Sequence, residues 1–133
     1  MVFSIKYRRK LLQDIDRINC IKFICSEIGE RYYFDFDAIG TDGDHVHIFV
    51  GAAPRYSPSK VMQIIKSITA REFFKKYPEV KKQLWGGEFW SDGGYVGTVG
   101  DGVMADIIRN YVETQGSPEE KEAYKQMNLL DFE

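Results

Sequence analysis

The sequence predicts an antiparallel α+β domain. Three observations lead there. Short β-branched and aromatic runs read as strands, two long stretches space their apolar residues by three and four, and the turns between them are of hairpin length. The chain has 133 residues and 15.4 kDa, the size of one domain over residues 1–133. It is 44 % hydrophobic and 29 % charged, which excludes a disordered or collagen-like chain. A domain of this length buries roughly two-thirds of its unfolded surface and folds without disulfide or metal staples.

Val2 to Ile5 reads as a short strand, followed by the basic cluster Lys6-Tyr7-Arg8-Arg9-Lys10. Leu11, Leu12, Ile15, Ile18, Ile21, Cys25 and Ile28 then recur at helical spacing, with Gly29 as the stop. Arg31 to Ile39 alternates aromatics with carboxylates and reads as a strand. Thr41-Asp42-Gly43-Asp44 is a turn, and His45 to Val50 is the second arm of a hairpin. Ser57 caps a helix that Pro58 opens. Its apolar stripe is Val61, Ile64, Ile65, Ile68, Phe73 and Phe74, its polar side carries Lys60, Lys66, Arg71, Lys75 and Lys76, and Pro78 marks its end.

Leu84 to Gly100 is rich in Trp, Tyr, Val and Gly and reads as one or two strands with bulges. From Val103 to Gln115 helical periodicity returns, with Met104, Ile107, Ile108, Tyr111 and Gln115 on one face. Gly116-Ser117-Pro118 breaks it, and an acidic tail over 116–133 holds a last helix over Glu119 to Met127. The order β-α-β-β-α-β-α is that of a ferredoxin-like or RRM-like sheet with helices mainly on one face, plus a C-terminal helix.

The net charge of −2 excludes a uniformly basic coat for nucleic acid, but it hides four blocks: +4 over 1–22, −5 over 23–50, +6 over 51–85 and −7 over 86–133. The two basic blocks can meet in one electropositive face. Cys20 and Cys25 fit no zinc spacing and read as buried, reduced thiols. No apolar run approaches the ~20 residues that span a bilayer, and the expected location is the cytoplasm.

His45 and His47 are the only histidines. On a strand they share a face, opposite Val46, Ile48 and Val50. Two adjacent imidazoles supply two ligands for a divalent cation; the alternative is a pair of strand histidines hydrogen-bonded to neighbours. Tyr111 and Gln115 stand at i and i+4 on the later helix and so are neighbours. Taken alone, Tyr111 is an ordinary half-buried aromatic. Beside a metal it becomes a candidate nucleophile, and the Gln115 amide oxygen a candidate ligand. Asp42 and Asp44 are turn formers first. Either can also enter a metal shell or orient an imidazole.

Together these motifs resemble the single-tyrosine HUH transposases of the IS200/IS605 insertion-sequence family. The likeness runs through Lys6-Tyr7-Arg8-Arg9, His45-Val46-His47, Ser57-Pro58-Ser59, Leu84-Trp85, Tyr95-Val96-Gly97-Thr98-Val99-Gly100 and Tyr111-Val112-Glu113-Thr114-Gln115, in the family's order. The resemblance implies an enzyme that cuts and rejoins single-stranded DNA at hairpin-bearing element ends through a 5′-phosphotyrosine. It implies Tyr111 as nucleophile, with His45, His47 and Gln115 as ligands of Mg²⁺ or Mn²⁺. It also implies a homodimer, with no membrane partner. Candidate DNA contacts are Lys6, Tyr7, Arg8, Arg9, Lys10, Lys60, Lys66, Arg71 and Lys75, with Lys76 beside them. Tyr7, Tyr56 and Trp90 are candidate base-stacking platforms. Two other readings stay open: a domesticated or replication-type nickase, and a non-catalytic nucleic-acid-binding module.

Overall fold

The computed structural model describes residues 1–84, 86–98 and 102–113. Gln115, the acidic segment 116–133 with its expected helix, Trp85, Val99 and Gly100 lie outside the described residues, as does the side chain of Met104. The elements are β1 (Val2–Ser4), α1 (Ile15–Tyr32), β2 (Asp35–Thr41), β3 (His45–Gly51), α2 (Pro58–Lys76), α3 (Pro78–Gln83) and α4 (Gly102–Glu113).

The sheet is antiparallel with order β1-β3-β2, so β3 is held from both sides. Gly43, at φ +60°, makes the turn between β2 and β3, and the register then sets Thr41 opposite Val46 and Gly40 opposite His47. The segment after residue 84, expected to form one or two bulged strands, is a broken edge held by isolated bridges. Phe89 O accepts from Lys6 N at 2.8 Å, Ser91 N donates to Ser4 O at 2.8 Å, and Val2 and Tyr95 exchange both backbone bonds at 2.8 Å. Gly94, between them at φ +143°, lies where a Cβ would meet Val2 O at 2.9 Å. This irregular edge takes the fourth-strand place outside β1. The ferredoxin-like α+β architecture expected from the element order is the one observed.

Period-two alternation sorts the sheet into two faces. Phe3, Val46 and Ile48 join α1 and α2 in the main core with Ile21, Ile24, Cys25, Ile28, Val61, Ile65 and Phe73. The opposite face carries His45, His47 and Phe49, and α4 packs there through Arg109, Tyr111 and the buried Val112.

Several boundaries differ from the periodicity, each for a physical reason. Leu11 and Leu12 are buried but not helical, because Leu12 pairs its backbone with Gly43. The helix starts at Ile15, capped by Asp14, whose side chain accepts from Asp16 N. Gly29 does not stop α1. A Cβ there would sit 2.9 Å from Phe34 O, so this glycine permits close approach of the strand that follows. The helix ends at Tyr32, with Tyr33 left-handed at φ 58°. Strand β2 accordingly begins at Asp35 and runs on to Thr41. Ser57 caps α2 by accepting from Lys60 N at 3.1 Å, and Pro78 ends it but opens α3. The buried stripe of α2 is Val61, Met62, Ile65, Thr69 and Phe73, with Ile64, Ile68 and Phe74 at its half-buried margins. Cys25 is buried, whereas Cys20 is only half-buried. No helix among the described residues is long and apolar enough to cross a membrane.

Ile65 is fully buried where α2 meets the sheet. Ile65→Ala is expected to cost about 2–5 kcal/mol in a urea unfolding titration, the range for a large aliphatic cut from a core that only partly collapses.

Candidate active site

The face of β3 opposite the core gathers most of the expected chemistry. The His45 and His47 rings lie 4.8 Å apart between centroids, tilted by 60°. The Tyr111 ring meets that of His47 edge-on at 5.7 Å. Gly40, across the ladder from His47, presents no side chain there. Beside the pair, a cavity of about 550 Å³ opens between α4, the chain start and the 95–98 segment, with Tyr56 and Tyr95 in its wall.

His45 is bracketed by carboxylates. Its Nδ1 lies 2.5 Å from Asp44 Oδ1, and its Nε2 lies 3.8 Å from Asp42 Oδ2. Asp44 Oδ2 in turn accepts from Arg8 Nε at 2.9 Å. Burial pushes the Asp44 carboxyl up, but the His45 and Arg8 hydrogen bonds outweigh it and leave the group below the usual carboxylate value. A carboxylate on Nδ1 favours the proton there and leaves the Nε2 lone pair for a ligand, a recurring way to aim a metal-binding imidazole. Asp44 is therefore more than a turn former. Arg8 reaches it from an unusual backbone: Tyr7 and Arg8 are both left-handed, at φ 60° and 54°, a conformation that costs a non-glycine residue roughly 1–2 kcal/mol.

His47 is only 7 % exposed, and its Nε2 is buried without a hydrogen-bond partner. Burial chiefly, with the charges of His45 and the chain's N-terminal ammonium, pushes this imidazole down to about 4 against the pull of Asp42. It is neutral near pH 7, and its Nε2 is unmatched whichever ring nitrogen carries the proton. In the tautomer that leaves the lone pair on Nε2, a cation is a fitting partner for it. The described residues contain no cluster of three or more His, Cys, Asp and Glu that could hold a metal. The donors in question are two imidazoles and an amide oxygen, and the amide belongs to Gln115, beyond the described residues.

Comparison with known proteins then decides the family. Residues 1–115 match the family "Transposase IS200 like". The chain belongs to the IS200-like transposase family. It is 28 % identical over 119 residues to the ISDra2 transposase TnpA of Deinococcus radiodurans, covering 90 % of this chain and 84 % of that protein. It is 26 % identical over 115 residues to the transposase for insertion sequence element IS200 of Salmonella typhimurium, covering 86 % and 74 %. A crystal structure of a Deinococcus radiodurans R1 transposase superimposes with a TM-score of 0.67 at 28 % identity, over 87 % of this chain and 88 % of that one.

The cations of this transposase are less uniform than their spacing implies. Lys6 donates to Glu88 at 2.9 Å and Arg8 to Asp44. Lys66 departs from the α2 polar side: at 100° per residue it lies across the helix from Lys60, Arg71 and Lys75. It is half-buried and donates to Ser91 O at 2.7 Å and Gly93 O at 2.6 Å, pinning the broken edge to the helix. Arg71 and Lys75 share Glu72, and Lys75 and Lys76 border a groove toward α1 together with Asp16 and Glu27. Arg9, Lys10 and Lys60 are exposed and form no ion pair with described residues. Tyr7 is exposed. Trp90 is not a stacking platform: it is 6 % exposed, donates to Thr69 Oγ1 at 2.9 Å and packs edge-on against Phe3 and Phe89. Tyr56 is half-buried against Phe34. Arg109 on the tyrosine helix, with its partner Asp37, belongs to the site's surroundings without any motif in the sequence that marks it. An arginine two residues before the tyrosine is the one local signal.

His47 also gives the fold a pH dependence. The unfolded chain takes up its proton near the ordinary value of 6.5, while the folded chain resists it down to about 4. The contribution is thus complete above pH 6.5 and falls away as the pH drops through that window. Urea midpoints are expected to decline from pH 7.5 to pH 4.5 in the native chain, and His47→Gln is expected to flatten that decline.

Proposed function

We propose that this transposase cleaves and rejoins single-stranded DNA at the ends of its insertion sequence, with Tyr111 as nucleophile. His45, His47 and Gln115 bind a divalent cation, Mg²⁺ or Mn²⁺. The observation that carries the reading is the Tyr111 ring against His47, on the face that His45 shares. The partnerless, neutral Nε2 of His47 supports the ligand role. The mixed nitrogen and oxygen donor set favours Mn²⁺ over Mg²⁺ in vitro.

In the cleavage step the Tyr111 hydroxyl oxygen bonds to phosphorus and loses its proton. The P–O3′ bond breaks, and the departing 3′ oxygen takes up a proton. The 5′ phosphate remains on Tyr111 as a phosphodiester, so the energy of the broken bond is retained. A 3′-OH from another strand reverses the step and frees the tyrosine, and joining needs no ATP. A phenol with its ordinary pKa of ~10 is a weak nucleophile at neutral pH, so the step needs help with charge. When bound, the cation supplies Lewis-acid stabilisation of the negative charge that builds on the non-bridging phosphate oxygens. Asp44, held by Arg8, keeps the His45 ring in its tautomer and plane.

The substrate in this proposal is single-stranded DNA bearing hairpins, bound by a homodimer in the cytoplasm. The exposed Arg9, Lys10 and Lys60 are the best-placed phosphate contacts, and binding weakens as salt rises because each neutralised phosphate releases counterions.

The test uses single-stranded oligonucleotides spanning both ends of the genomic element that encodes the chain, with Mn²⁺, followed by a denaturing gel. The native protein is expected to yield a covalent protein–DNA adduct and a free 3′ end. Tyr111→Phe is expected to retain hairpin binding and form no adduct, and chelation by EDTA to stop the reaction reversibly. Adduct formation by Tyr111→Phe overturns the assignment.

A further inference from the structure

We propose that the ion pair between Asp37 on β2 and Arg109 on α4 is a latch that positions the tyrosine helix over the histidine face. The two residues stand 72 positions apart in the chain. Arg109 Nε donates to Asp37 Oδ1 at 2.8 Å and Nη2 to Asp37 Oδ2 at 2.7 Å, a two-pronged pairing that fixes direction as well as distance. The remaining prong, Nη1, donates to Asp106 Oδ1 at 2.6 Å, one helical turn earlier. The guanidinium also lies 5.7 Å from the centre of the Phe49 ring. Phe49 sits two residues after His47 on the same face of β3.

Asp37 is presented for this purpose by the strand itself. The β2–β3 register shifts between Phe36 and Ala38, and Asp37 has no partner across the ladder. Such a bulge re-aims one side chain out of the regular pleat. Over 106–113, the described side chains of α4, the apolar hold is narrow. Val112 is buried and Ile108 half-buried, but Asp106, Ile107 and Asn110 are exposed. A narrow apolar ridge lets a helix roll and slide, whereas a fork clamped on a fixed carboxylate does not. The clamp sits two residues before Tyr111, so a roll of α4 would carry the phenol away from His47.

The Arg109 hydrogen bond holds the Asp37 carboxyl below the usual carboxylate range despite an opposing desolvation effect. Both partners are about one-third exposed, and pairs so exposed add little to global stability. A reacting atom misplaced by even ~1 Å can nevertheless cost about a hundredfold in rate. The latch therefore acts on the chemical step far more than on folding. All three donor positions of Arg109 face carboxylates, which separates this role from a phosphate contact.

The inference rests on Tyr111 being the nucleophile. It is tested with Asp37→Asn in the full chain, on the same element-end oligonucleotides with Mn²⁺ under single-turnover conditions. Asp37→Asn is expected to slow adduct formation about tenfold or more, the scale of a misplaced reactant. Its affinity for the oligonucleotide is expected to stay within about twofold of native, its melting temperature close to native, and amide exchange across 106–113 to quicken while α1 stays protected. Asp37→Glu, which restores the charge, is expected to recover most of the rate, and Asp106→Asn to stay near native. An Asp37→Asn protein as fast as native overturns the latch, and so does equal slowing by Asp106→Asn. If Arg109→Gln weakens DNA binding while Asp37→Asn leaves the rate unchanged, Arg109 is a phosphate contact and the latch is overturned. Tyr111→Phe separates the two claims. Adduct formation by that variant removes the underlying assignment, whereas its absence alongside a native-like Asp37→Asn removes only the latch.

Discussion

The two-residue period of β3 is the constraint on which the rest of the site depends. Val46 and Ile48 are buried against α1 and α2, and shifting the strand by one residue would turn both away from that core and put imidazoles into it. Packing on one face thus dictates chemistry on the other. His45 and His47 share a face because the core needs their neighbours. Pairing with β1 on one side and β2 on the other leaves this strand little freedom to slip, and the Gly43 turn sets the register against β2. The imidazoles therefore sit on a well-braced central strand, which keeps their spacing.

Around that strand the charges are arranged as local pairs. Asp42 and Asp44 bracket His45, and Arg8 neutralises the nearer carboxylate. Lys6 goes to Glu88, and Lys66 goes to two backbone carbonyls. The alternating charge blocks of the sequence become a structure in which many cations are already engaged. That fits a net charge of −2. A protein that holds DNA briefly for cutting and joining gains from a few exposed cations placed well, since a dense basic surface would bind any strand and release none quickly.

Local features were the legible ones. The Asp42-Gly43 hairpin, the Ser57-Pro58 helix start and the facing histidines each follow from a few consecutive residues, and each is in the structure. What depended on distant contacts was hidden. Leu11 and Leu12 carry helical spacing yet pair with the Gly43 turn. Gly29 looks like a stop and is a point of close approach. Lys66 looks like one more exposed lysine, and Trp90 like a stacking surface, until the partners of each are known. For the site, periodicity alone placed the imidazoles on one face. The approach of Tyr111 came only through the family likeness, because no local pattern encodes a helix crossing a sheet. Asp37 and Arg109 carried no readable pairing for the same reason.

The two faces of the sheet divide the work. The α1 and α2 side holds the aromatic and aliphatic core, with Phe73, Phe89, Ile65 and Val46 fully buried, and this is where apolar burial stabilises the fold. The α4 side has Val112 and Ala38 as its buried aliphatics among the described residues, and beside them come histidines, an ion pair and a phenol. A polar face of that kind adds little to stability and could not hold the sheet together by itself. It does not need to, because the opposite face already does. Polar groups that would weaken a core can therefore be kept on that face. Placing the apolar core on one side of β3 and the polar groups on the other lets a chain this small carry both.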